Sequence, residues 1–136
     1  MATLQLELVS PAKLLLSRAV ELATIPAAEG EMGVLPGHSP MIVALRGGVI
    51  AVSEGGQVTD RLYVAGGFAE VTADRVTILA DEATPVAELS RSEAERRIAE
   101  AEAALAATPG DSSEKMDQAI ARVLAARAML AAAEAA

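Results

Sequence analysis

The chain is 136 residues long, more than half of them apolar, with a net charge of −8 and no cysteine. Disulfides, Cys-zinc sites and thiol nucleophiles are thereby excluded, and so is nucleic-acid binding, which needs clustered Lys and Arg to displace counterions. Only Tyr63 and Phe68 are aromatic, so the core has to be aliphatic and rely on dense packing of Leu, Val, Ile and Ala.

Leu4, Leu6 and Leu8 alternate with Gln5 and Glu7, the pattern of a half-buried strand. No basic start precedes an apolar run there, so no signal peptide is expected. Apolar runs at 14–16 and 20–25 predict further strands, followed by runs at 41–45 and 49–52. These runs are far shorter than the roughly 20 residues that span a bilayer. The chain is therefore expected to be soluble and to reach a membrane only through a protein partner. Gly55-Gly56 predicts a hairpin between 49–52 and 58–64, and Ala73-Asp74 another between 68–72 and 76–79. Short strands this close together predict an antiparallel sandwich or flattened barrel. A parallel sheet is not expected, because no helix-length segment separates the strands.

Beyond Pro85 the period becomes helical. Ser90-Arg91-Ser92-Glu93 reads as a capping box. Ala94, Ile98, Ala101 and Leu105 then mark one helix face, and Thr108-Pro109-Gly110 stops the helix. Asp111-Ser112-Ser113-Glu114 offers a second box, with Met116, Ile120, Val123 or Leu124, and Leu130 lining the next helix. The expected fold is α+β: an antiparallel β-sandwich over residues 1–85, then an antiparallel two-helix hairpin over 86–136. The alanine-rich seam buries little area per turn, so the hairpin is weakly held unless it docks elsewhere.

Candidate sites are few. Adjacent residues of an extended chain point to opposite sides, so His38 and Ser39 do not form a catalytic pair. A lone histidine makes a poor metal site, no phosphate-binding P-loop is present, and Gly47-Gly48 and Gly66-Gly67 read as turns or bulges. The charged helix face, with Glu93 and Arg97 four apart, reads as a solvated surface. The segment GEMGVLPGHSPMIVAL, residues 30–45, stands apart. It gathers three glycines, two prolines and the sole histidine around Met32, Val34 and Leu35. A shaped loop with apolar residues beside Glu31 and His38 reads as a contact surface; its plain structural alternative is a buried loop over the sandwich end.

The segment EGEMGVLPGHSPMIVALRGGVI closely resembles the signature loop and following strand of the epsilon subunit of bacterial F-type ATP synthase. The likeness extends to an opening strand ending in VSP, to YVAGGFAEV, to VTILADEA and to the two-helix tail. It implies a ten-stranded β-sandwich, a hairpin, and a non-catalytic subunit of the central rotor without cofactor or metal. It also implies partners: the gamma subunit, the ring of c subunits, and the alpha and beta subunits where the hairpin extends to restrain ATP hydrolysis. The implied place is peripheral, on the cytoplasmic face of the bacterial inner membrane. Glu31, Met32, Val34 and His38 match the interface loop. Some members bind ATP through I/L-D-x-x-R-A, but here Ser90 and Glu93 replace the aspartate and the arginine, so no ATP site is expected. The readings from other classes are a free-standing sandwich adaptor or small-ligand regulatory module and, more remotely, a small hydrolase. Copurification with a multisubunit membrane ATPase separates the first reading from both.

Overall fold

Alternating side chains set the first strand, β1 (Leu4–Val9), which sends Leu4, Leu6 and Leu8 into the core. A computed structural model describes residues 2–110 and 112–135. After β1 come β2 (Leu14–Val20), β3 (Leu22–Ala27), β4 (Gly30–Val34), β5 (Met41–Leu45) and β6 (Gly48–Glu54). β7 (Gln57–Val64), β8 (Gly67–Val71), β9 (Arg75–Ala80) and β10 (Ala83–Pro85) complete ten strands. They lie in the order β10-β7-β6-β3-β5-β8-β9-β1-β2, with β4 on β3.

The sheet folds over at β3. One layer is β10-β7-β6-β3 with β4, the other is β5-β8-β9-β1-β2, and the single pair Ala27–Leu45 joins them. Leu6, Leu8, Val20, Ile25, Val34, Ile50, Val52, Val64, Val76 and Ile78 meet between the layers with no exposed surface. Fully burying one such side chain contributes about 1.5–3 kcal/mol, so this core carries the stability of the sandwich. Gly55 and Gly56 both have positive φ, +61° and +77°, as the two-residue β6–β7 turn requires.

Four sequence expectations change. β1 and β9 form a parallel ladder from Gln5–Arg75 to Val9–Leu79, although a parallel sheet was not expected. The missing helix is no obstacle, because these strands are far apart in sequence and all of β2 to β8 serves as the crossover. The apolar run 20–25 is not one strand. Val20 closes β2, and at Glu21 the chain turns a corner between layers, its amide donating to Ser53 O at 3.1 Å. Residues 30–34 are a strand rather than loop, and only 35–40 form the loop. β10, too short to show a period, pairs with β7.

A 3₁₀ turn (Val86–Glu88) leads into α1 (Arg91–Ala106), and α2 (Ser113–Ala135) returns. Ser90 Oγ caps α1 by accepting from the Glu93 amide at 3.2 Å. The expected box is half made, since the Glu93 carboxylate turns to Arg96 and Arg97 instead of reaching back. Ser112 caps α2, accepting from the Lys115 amide at 3.3 Å; Asp111 lies outside the described residues. α1 ends on Ala107 in right-handed conformation and uses no left-handed glycine exit. Its buried seam holds Ala94 and Ala101 as expected. On α2 the buried face is Val123, Ala125, Ala126, Met129 and Ala132, while Ile120 and Leu124 face outward. Three of these five buried residues are alanines, so the helix can lie close against α1 and the sandwich.

Candidate functional site

The chain offers two places where special residues converge, and the first is the segment 30–45. Ala27 and Gly30 pair across a two-residue turn, and β4 then alternates against β3. That alternation sorts the side chains. Met32 and Val34 point inward, whereas Glu31 is exposed. Val34 is fully buried, so of the four expected contact residues it belongs to the core and presents nothing to a partner. Met32 is half-buried at the edge of the core.

The loop that follows is held by its backbone. The Gly37 amide donates to Ala73 O at 2.6 Å, tying the loop to the β8–β9 turn, and Gly37 has φ +89°. The His38 amide donates to Leu35 O at 3.2 Å. His38 Nδ1 lies 2.7 Å from the Ser39 carbonyl, which can only accept, so Nδ1 carries the proton and the Ser39 hydroxyl is not its partner. Glu31 and Met32 border a cleft of about 450 Å³ with Met41 and Ile42, while His38 lies beyond it in the loop. Met41 and Ile42 are 42% and 74% exposed, and Leu35 is 58% exposed. Sequence reasoning missed Met41 and Ile42. The run 41–45 looks like a uniformly buried strand, and only its place at the edge of a layer leaves one side open.

The second place is the seat of the hairpin. Tyr63 is buried on β7 with Ala94 and Met129, and its hydroxyl donates to Ala125 O at 2.9 Å. Burial, reinforced by Glu82, pushes the Tyr63 phenol up to about 12. Gly47 faces α2: a Cβ there would lie 2.5 Å from Ala125 Cα, so only a glycine lets helix and sandwich approach this closely at that point. Arg97 donates to Glu82 at 2.6 Å, a tie between α1 and the segment ahead of β10 that holds its guanidinium above its ordinary value. Beside these lies a crevice of about 250 Å³ lined by Glu82, Arg96, Arg97, Glu100 and Arg122. Hydrogen bonds from Arg96 and then Arg97 hold the Glu93 carboxyl down at about 2. Both arginines are therefore occupied by carboxylates, and Ser90 is spent on the cap. Among the described residues no acidic, histidine or cysteine cluster could hold a metal ion.

Comparison with known proteins agrees with this architecture. Residues 3–86 match the family described as ATP synthase, Delta/Epsilon chain, beta-sandwich domain. The chain is 60% identical over 133 residues to the ATP synthase epsilon chain of Granulibacter bethesdensis, covering 98% of each. It is 51% identical over 80 residues to that of Gluconacetobacter diazotrophicus, 59% of this chain and 57% of the relative. A chain from the Euglena gracilis mitochondrial ATP synthase, OSCP/F1/c-ring, superposes with a TM-score of 0.75 at 29% identity, covering 97% of this chain and 82% of that one. A chain from the Tetrahymena thermophila mitochondrial ATP synthase, central stalk/c-ring, gives 0.70 at 15% identity over 96% of each and shows the shared fold alone. With the beta-sandwich family matched over residues 3–86 and 60% identity to a bacterial relative over nearly the whole of both chains, the chain belongs to the epsilon chains of ATP synthase, non-catalytic subunits of that complex.

Proposed function

We propose that this subunit couples rotation of the c-subunit ring to the gamma shaft, docking on both through the edge that carries Glu31, Met32 and His38. The observation that carries this reading is local. At one edge of the sandwich an exposed carboxylate sits beside Met32, Met41 and Ile42, which the fold leaves partly or largely uncovered. Large apolar side chains grouped next to a charge mark a protein contact rather than a plain surface. The subunit's place is peripheral, on the cytoplasmic face of the bacterial inner membrane; no described helix is long and apolar enough to cross a membrane. Residues 1–85 act as the docking unit and 86–136 as a regulatory unit, which reaches the alpha and beta subunits when extended. No ATP is bound at the start of α1.

The test is Glu31→Lys. Charge reversal on a free surface changes stability by under about 0.5 kcal/mol, whereas at a partly desolvated interface it costs several kcal/mol of association. The isolated variant should unfold like the parent, while membranes rebuilt with it lose coupling between proton flow and ATP synthesis. Unchanged ATP-driven proton pumping in those membranes would refute the docking role.

A further inference from the structure

The open side of β5 carries more than side chains. β5 pairs with β8 along its whole length, from Met41–Val71 to Leu45–Gly67, but with β3 only at Leu45. Two bonds fix which backbone groups face the β3 side: the Ala28 amide donates to Ala44 O at 2.9 Å, and the Arg46 amide donates to Pro26 O at 2.9 Å. Because backbone groups alternate along a strand, Ile42 N–H, Ile42 C=O and Ala44 N–H share that side. Among the described residues no strand covers it beyond the β3–β4 turn. These groups open into the cleft bordered by Met32, Met41, Glu29 and Glu31. Glu70, opposite Ile42 on β8, lies one strand behind that edge and adds a third carboxylate to the neighbourhood. All three carboxylates are exposed, and among the described residues none is in an ion pair.

We infer that the cleft receives an extended segment of a partner polypeptide, which adds a strand to β5 at Ile42 and Ala44 and carries Lys or Arg among apolar residues. The inference rests on the docking role proposed above and gives it a binding mode. An open ladder edge supplies main-chain affinity, and flanking pockets supply side-chain selectivity. The charge of the rim selects the occupant. Glu29, Glu31 and Glu70 attract a basic segment, whereas a second copy of this chain at the same edge would set three carboxylates against three. Acidic residues beside an unpaired edge thus repel self-association while leaving the edge open to a chain of opposite sign.

Amide hydrogen exchange at single-residue resolution, on the purified ATP synthase and on the isolated subunit, tests the inference. In the isolated subunit Val43, which faces β8, should exchange slowly, and Ile42 and Ala44 fast. In the assembled enzyme Ile42 and Ala44 should slow by about tenfold or more, the effect of a new backbone hydrogen bond. Two variants separate backbone from side chain. Ile42→Pro deletes an edge amide that no described strand of this chain uses, a place where proline is tolerated. It should weaken binding to the subunit-depleted enzyme more than Ile42→Ala. Equal effects of the two, or unchanged exchange at Ile42 and Ala44, overturn strand addition. If exchange is unchanged while Glu31→Lys still impairs assembly, docking stands without the added strand; if neither responds, both readings fall. Slowing that grows with concentration in the isolated subunit, together with a dimer in sedimentation, would give the edge to a second copy and also overturn the proposal.

Discussion

Single residues decide how the hairpin meets the sandwich. Tyr63 is the only tyrosine, so its ultraviolet titration reports on that contact alone. Its ordinary value of 10.0 is pushed to about 12 in the folded chain. A raised value means that the folded state holds the proton more tightly. The stabilisation is therefore complete below pH 10 and is lost as pH rises through 12. Tyrosinate absorbance should show a midpoint near 12 in buffer and near 10 in denaturant; one midpoint in both would mean that the phenol is not buried against α2. Gly47 gives a second test. Gly47→Val should force α2 outward at Ala125, destabilise the docked hairpin by about 1–3 kcal/mol, and draw the Tyr63 midpoint back toward 10. An unchanged melting temperature together with an unchanged titration would show that the helix does not depend on this approach.

At the scale of elements, the start of α1 shows a motif turned from ligand binding to structure. Ser90 caps the helix, and Glu93 engages Arg96 and Arg97, placing a carboxylate where a polyanionic ligand would need a cation. Unlike a free guanidinium, an arginine already bonded to a carboxylate has to give up that bond before it can hold phosphate. Isothermal titration of the purified subunit with MgATP should show no saturable binding. A one-to-one isotherm with a dissociation constant below about 1 mM, equivalent to roughly 4 kcal/mol, would overturn this reading. The segment 30–45 shows how far strand periodicity can be read. Met32 and Val34 alternate with Glu31, but two glycines in five residues hide the β4 strand, and its pairing with β3 restores it.

At the scale of the molecule, the sandwich core contains no helical residue among those described, while the hairpin rests on a smaller cluster around Tyr63, Ala94 and Met129. Deleting residues from Ser90 onward should therefore leave a folded sandwich that still assembles and couples. Lys115, Arg122 and Arg127 on α2 are offset by Glu114, Asp117 and Glu134, so attraction toward an acidic partner is small. ATP hydrolysis in membranes carrying the truncated subunit should rise only modestly. A rise of about tenfold, some 1.4 kcal/mol of lost restraint, would make the hairpin a strong brake.

Local order was legible because it depends on neighbours in the chain: the β1 alternation, the β6–β7 glycine turn, the Ser90 cap and the Glu93–Arg97 pair each involve residues at most a few positions apart. The family was legible too, because its loop motif is long. What the amino-acid order alone did not determine was which distant edges meet. The parallel partnership of β1 with β9 depends on seven intervening strands. The corner at Glu21 depends on Ser53, and the burial of Val34 beside the exposure of Ile42 depends on which layer each strand joins. α2 illustrates the same limit: Ile120 and Leu124 are the larger side chains, yet Ala125 and Ala126 face the protein. Hydrophobicity ranks residues singly, whereas tertiary packing selects the face that lets Gly47 and Tyr63 come within contact of the helix.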